Sequence, residues 1–149
     1  REPLAVADSL ARRNGFSTAR SCLLWLRHVV DAERDTRSWP RVFMDDALLL
    51  SDWRRALQPL VELGWYDAKR LSGPLGHVVD AAIKPRLRHS GRGGFDAGML
   101  PEPRQWYLNV YDACVTLAKE NRSGSTDVRF DQIRSALDSM VESGGVEQE

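Results

Sequence analysis

Residues 17–35 read STARSCLLWLRHVVDAERD, and this stretch decides the fold class. From Cys22 to Leu26 it is apolar nearly all round, and Val29 and Val30 extend the apolar set by another turn. A helix with apolar residues on every side is expected to be central and deeply packed. Ser17 or Thr18 can cap its start. Trp39-Pro40 limits its end, because proline disfavours the helical conformation at the residue before it. The predicted helix therefore runs to about Asp35.

Outward from this helix the chain keeps the same character. Residues 4–14 form a short, weak helical pattern ending at Gly15. Asp45 or Asp46 can start a third helix and Ser51-Asp52 can restart it. The pattern continues through Trp53, Leu57, Leu60, Val61 and Leu63 to Gly64, a natural residue just past a helix end. Pro59 falls inside and predicts a kink or break. A turn near Asp67–Leu71 leads to Pro74, which suits a first helical turn, with Leu75, Val78, Val79, Ala82 and Ile83 as the apolar stripe. Pro101 and Pro103 open a strong helix to about Glu120 with core face Tyr107, Val110, Tyr111, Cys114 and Ala118. Thr126 with Asp127 caps a last helix to about Glu142, with Phe130, Ile133, Leu137, Met140 and Val141 inward. Residues 89–100 hold four glycines and no clear period, which predicts the longest loop.

Signals for β-structure are poor: there is no Asn-Gly or Asp-Gly turn and no sustained alternation. The expectation is an all-α chain, an irregular bundle of five or six helices in one domain over residues 1–142, followed by a disordered acidic tail over 143–149. The 149 residues suit one domain, and 42% hydrophobic with 28% charged residues is ordinary globular composition.

Charge excludes a global field. Twenty-one basic and 21 acidic residues give zero formal net charge, so nucleic acid or an anionic membrane would have to be met by local clusters. No apolar run approaches the roughly 20 residues that span a bilayer, and no signal peptide is visible. Two cysteines, Cys22 and Cys114, are too few for a disulfide scaffold and read as small buried hydrophobes, which suits an intracellular, reducing compartment, most simply the cytoplasm. Removal of an organelle transit segment is compatible with this reading. The chain opens at Arg1 rather than methionine, as expected of a trimmed or excised chain.

The motifs of common chemistries are missing: no Walker A, no dinucleotide glycine spacing, no H-E-x-x-H, no G-x-S-x-G, no EF-hand loop. His77 and Asp80 share a helix face, but two groups do not make a metal site. Asp45-Asp46 reads first as a helix cap, since a helix N-terminus prefers carboxylates. No catalytic residue, cofactor or metal ligand is assigned.

Two basic surfaces and a set of aromatics remain. Arg20, Arg27 and Arg34 are spaced by seven and project from one helix face over roughly 21 Å at 1.5 Å per residue. Asp31, Glu33 and Asp35 lie close enough in sequence to absorb much of that charge. Lys84, Arg86, Arg88, Arg92 and Arg104 against Asp96 and Glu102 give a local net charge of +3, in a glycine-rich segment with Phe95. Residues 105–149 carry the opposite excess, eight acids against four bases. Eighteen arginines against three lysines reflect either genomic bias or a use for the planar guanidinium. Trp25 and Trp106 read as core. Trp39, Trp53, Trp65 and Tyr66 sit at breaks or helix edges, where aromatic residues either plug gaps or anchor an interface. The leading expectation is a non-catalytic interaction module, an adaptor or structural subunit that meets another protein through these aromatics. The alternative is a helical subunit that contacts nucleic-acid phosphates through the named arginines.

Overall fold

A computed structural model describes residues 1–83, 96–120 and 127–144. Among these residues there are eight α-helices and no strand: α1 (Pro3–Asn14), α2 (Thr18–Asp35), α3 (Asp46–Ser51), α4 (Trp53–Glu62), α5 (Ala68–Ser72), α6 (Pro74–Ala82), α7 (Arg104–Glu120) and α8 (Val128–Gly144). A 3-10 turn, Ala97–Met99, precedes α7.

Side-chain caps set most of the boundaries. Ser17 accepts from the Arg20 amide and opens α2; Asp45, Asp52 and Asp67 do the same for α3, α4 and α5. Each satisfies an amide that the first helical turn leaves without a partner. Gly15 and Gly64, at φ 67° and 74°, occupy the left-handed conformation that lets α1 and α4 end where the sequence predicts.

The count exceeds the expected five or six for two reasons. Asp52, at φ −148° and ψ 76°, divides the third predicted helix into α3 and α4, and the segment after Asp67 closes a short helix rather than a turn. The expected break at Pro59 does not occur. Pro59 is buried inside α4, which continues to Glu62, and the interruption falls seven residues earlier at the capping aspartate. Residues 84–95 and 121–126 lie outside the described residues. With them lie Thr126 and most of the predicted long loop. Helix α8 runs through Ser143 to Gly144, so the helix occupies the first two positions of the predicted tail; 145–149 lie outside the described residues.

Helix α2 packs on α1, α7 and α8, and α7 packs on α8. The core at their centre contains Cys22, Trp25, Leu26 and Val30 from α2, Tyr107, Val110, Ala113 and Leu117 from α7, and Phe130, Ile133 and Leu137 from α8. The central role expected of residues 17–35 is thus realised. Fully burying a side chain such as Leu26 or Phe130 contributes about 1.5–3 kcal/mol each. Leu100 also enters this core, from the turn before α7.

Two predicted faces need correction. The buried stripe of α7 is turned toward Ala113 and Leu117, because both α2 and α8 cover that side; Tyr111 and Cys114 are half-buried and pack against the core, and with Ala118 they also line a cleft. On α8, Met140 and Val141 are exposed, since the packed stripe ends at Leu137. Leu75 and Val78 of α6 are exposed too: α6 packs on the short α5 and lies outside the four-helix core.

Candidate functional site

The arginines predicted to form a surface stripe have different fates. Arg27 donates to Asp31 on its own helix at 2.7 Å and to Asp138 on α8 at 2.5 Å. These bonds, Asp138 first, raise its already high pKa. Arg134 of α8 faces the same two carboxylates, at 3.7 Å from Asp31 and 3.5 Å from Asp138. Four alternating charges thus join α2 to α8 and fix the pair as antiparallel, since Arg37, two residues past the end of α2, reaches Asp131 near the start of α8 at 2.7 Å. Arg20 leaves the ladder and lies over the Phe16 ring at 4.0 Å. Arg34 is exposed, and its guanidinium forms no hydrogen bond or ion pair among the described residues. Of the second basic surface, Arg86, Arg88 and Arg92 lie outside the described residues. Arg104 pairs loosely with Glu102 at 3.8 Å.

Next to the ladder is a group that the sequence reading assigned elsewhere. Glu33, expected to screen Arg34, is 3% exposed and receives Arg37 Nη2 at 2.6 Å and Arg41 Nη2 at 2.7 Å. Arg41 is itself 8% exposed and also donates to the Glu33 carbonyl. Its guanidinium lies over Phe43, whose ring meets Phe130 of the core at 6.1 Å between centroids. The pair therefore ties the connection after α2 to the interior. Its one sequence trace is a glutamate on the α2 face opposite solvent, eight residues before an arginine and across a proline.

The aromatics also separate. Trp53 is buried, not presented: its indole N–H donates to Asp80 Oδ1 at 2.8 Å. Trp25 is buried, with its indole N–H on the Arg1 carbonyl at 3.0 Å, and Trp106 packs at the core edge. Trp39, Trp65 and Tyr66 are 69%, 52% and 45% exposed. Backbone bonds hold Trp39 and Trp65 there. The Trp39 amide donates to Thr36 O at 3.0 Å; the Gly64 and Trp65 amides close the end of α4 on Val61 O and Leu60 O, both at 2.9 Å. The latter two bonds form a Schellman motif, which sets the direction in which the chain leaves the helix.

Asp80 is committed as well. Arg54 forks onto both its oxygens at 2.8 and 2.7 Å. Together with Trp53 these bonds hold its carboxyl down at about 2. His77 beside it is exposed. Among the described residues no group of three or more His, Cys, Asp or Glu side chains is placed to hold a metal.

A cleft of about 430 Å³ opens between the 43–48 segment, α4 and α7. Phe43, Leu48, Pro59 and Val115 supply apolar wall, and Cys114 lies within it. Burial pushes the Cys114 thiol up to about 11, and the Cys22 thiol likewise. Neither cysteine is disulfide-bonded. At the rim Asp45 caps α3, Asp46 is paired with Arg1 at 3.4 Å, and Arg55 and Lys119 bring positive charge. The sequence hints at this cleft only through the apolar width of α7, where Tyr111, Cys114 and Ala118 lie at the edge of the core and are not fully covered by it.

No protein-family model, curated protein or solved structure matches the chain. No helix among the described residues is long and apolar enough to cross a membrane.

Proposed function

We propose that the chain is a non-catalytic helical interaction module, an adaptor or structural subunit that meets a protein partner through Trp39, Trp65 and Tyr66. One observation carries this reading: three large aromatic side chains stand in solvent, two of them, Trp39 and Trp65, on turns closed by their own backbone amides, with Tyr66 next in the chain. A half-exposed indole that becomes buried gains about 2 kcal/mol or more from apolar area alone. Fixed backbone lowers the ordering cost of using it. The helices are taken as one irregular bundle in one domain, centred on α2, which touches α1, α7 and α8. Two free thiols suit an intracellular, reducing compartment.

The nucleic-acid alternative rests on Arg20, Arg34 and Arg104 together with the undescribed arginines. It is the weaker reading because Arg27, the middle of the stripe, is spent on Asp31 and Asp138. It requires binding that falls steeply with salt.

The test is site-specific photo-crosslinking in native extract, with benzoylphenylalanine at Trp39, Trp65 or, as control, Ser139 on the exposed side of α8. The same protein captured from positions 39 and 65 but not from 139 is the expected result. Capture that is equal from all three, or absent, overturns the proposal.

A further inference from the structure

We propose that the cleft between α4 and α7 binds an amphipathic carboxylate, an apolar chain whose anionic head lies between Arg55 and Lys119. This site is separate from the aromatic surface and does not depend on it.

Size is the first argument. A volume of about 430 Å³ falls in the range of small-molecule clefts, roughly 300–1,000 Å³. Such sites combine apolar walls with a few convergent polar groups, and Phe43, Leu48, Pro59 and Val115 provide the walls here.

Charge supplies the second. Five charged side chains line the cleft, and three are already engaged. Asp45 is bonded to the Ala47 amide, and Asp46 and Arg1 are paired with each other. The side chains of Arg55 and Lys119 have no hydrogen bond or ion pair among the described residues, although both line the same opening. Two cations with no partner among the described residues, over an apolar wall, select an anion with an apolar body. A cationic amphiphile would meet them as like charges. A guanidinium adds the planar two-donor fork that matches a carboxylate.

The experiment titrates decanoate, below its micellar concentration, into the full chain, with decanol and decylamine as neutral and cationic counterparts of equal length. Calorimetry should give one decanoate per chain and no measurable decylamine binding. Arg55→Ala and Lys119→Ala, both at exposed positions, should each weaken decanoate about tenfold, the scale of one charge-assisted contact. They should leave decanol unchanged, and Lys119→Arg should retain affinity. Two readouts locate the site. Decanoate should slow modification of Cys114 by a neutral disulfide reagent while Cys22 stays unreactive, and Ala118→Leu, which narrows the cleft, should weaken decanoate and decanol alike. Equal affinity for all three amphiphiles, no effect of either alanine variant, or an unprotected Cys114 overturns the proposal. A failure here leaves the crosslinking result from Trp39 and Trp65 untouched.

Discussion

Glu33 places a carboxylate inside the molecule, and what keeps it there is the pair of guanidinium groups around it. A buried ion pair gives little net stability over an apolar substitute, but removing one partner strands the other. Glu33→Gln keeps the shape and removes the buried charge that both Arg37 and Arg41 meet. We expect a loss of about 3 kcal/mol or more in urea unfolding. The double replacement Glu33→Met with Arg41→Met should regain most of it. A single-variant loss below about 0.5 kcal/mol, the size of an ordinary surface substitution, would show that the pair is not buried in solution. Ser21 tests the opposite case. Its hydroxyl is fully buried and finds no partner among the described residues. An unmet buried hydroxyl costs about 1–3 kcal/mol, and alanine is the better helix former. Ser21→Ala should therefore raise the urea midpoint; a lowered midpoint would mean that the hydroxyl is satisfied. Neither residue was legible in the sequence. A glutamate among arginines on a helix reads as a solvated face. Its burial depends on where Pro40 returns the chain, which spacing along α2 does not encode.

At the scale of elements, helix ends were legible and helix faces less so. Ser17, Asp45, Asp52, Gly15 and Gly64 mark boundaries through local chemistry that acts within four residues. Which apolar residues of α6, α7 and α8 are covered depends on neighbours distant in sequence, so spacing alone places Leu75, Val78, Met140 and Val141 inward although they are exposed. Asp80 illustrates the difference: sequence pairs it with His77, three residues away, whereas its bonds go to Trp53 and Arg54 on α4. These bonds join α6 to α4. The Asp80 carboxyl sits at about 2 when docked, below the ordinary value of about 3.9. Its contribution to docking is therefore fully present above pH ~4 and lost as pH falls through about 2. Asp131 and Asp138 shift in the same direction, through hydrogen bonds from Arg37 and Arg27 respectively, but they act on the α2–α8 seam. Hydrogen exchange separates the two effects. At pH 5, Asp80→Ala should speed exchange of α6 amides and leave those of α2 and α8 protected. Uniform acceleration across all helices would instead make α6 part of the cooperative core.

Across the whole molecule, stability is expected to be unequal. Four long helices share one core, while α3 to α6 form two sequence-local pairs, α3 with α4 and α5 with α6. The all-α class and the central place of residues 17–35 could be read from the sequence because an apolar run on every side of a helix has only one destination. The partition into core and periphery could not, because Leu75 and Val78 look as buriable as Leu26 when only their spacing is seen. Paired substitutions distinguish them. Leu26 is fully buried in the core that α2 shares with α7 and α8, so Leu26→Ala should cost about 2–5 kcal/mol. Val78 is exposed on the outer side of α6, and Val78→Ala should stay within about 0.5 kcal/mol. Urea titrations at two protein concentrations make the comparison informative in both directions. A large cost for Val78→Ala that is independent of concentration would place α6 in the core. A cost that grows with concentration would mean that copies of the chain cover α6, because only association links stability to the amount of protein.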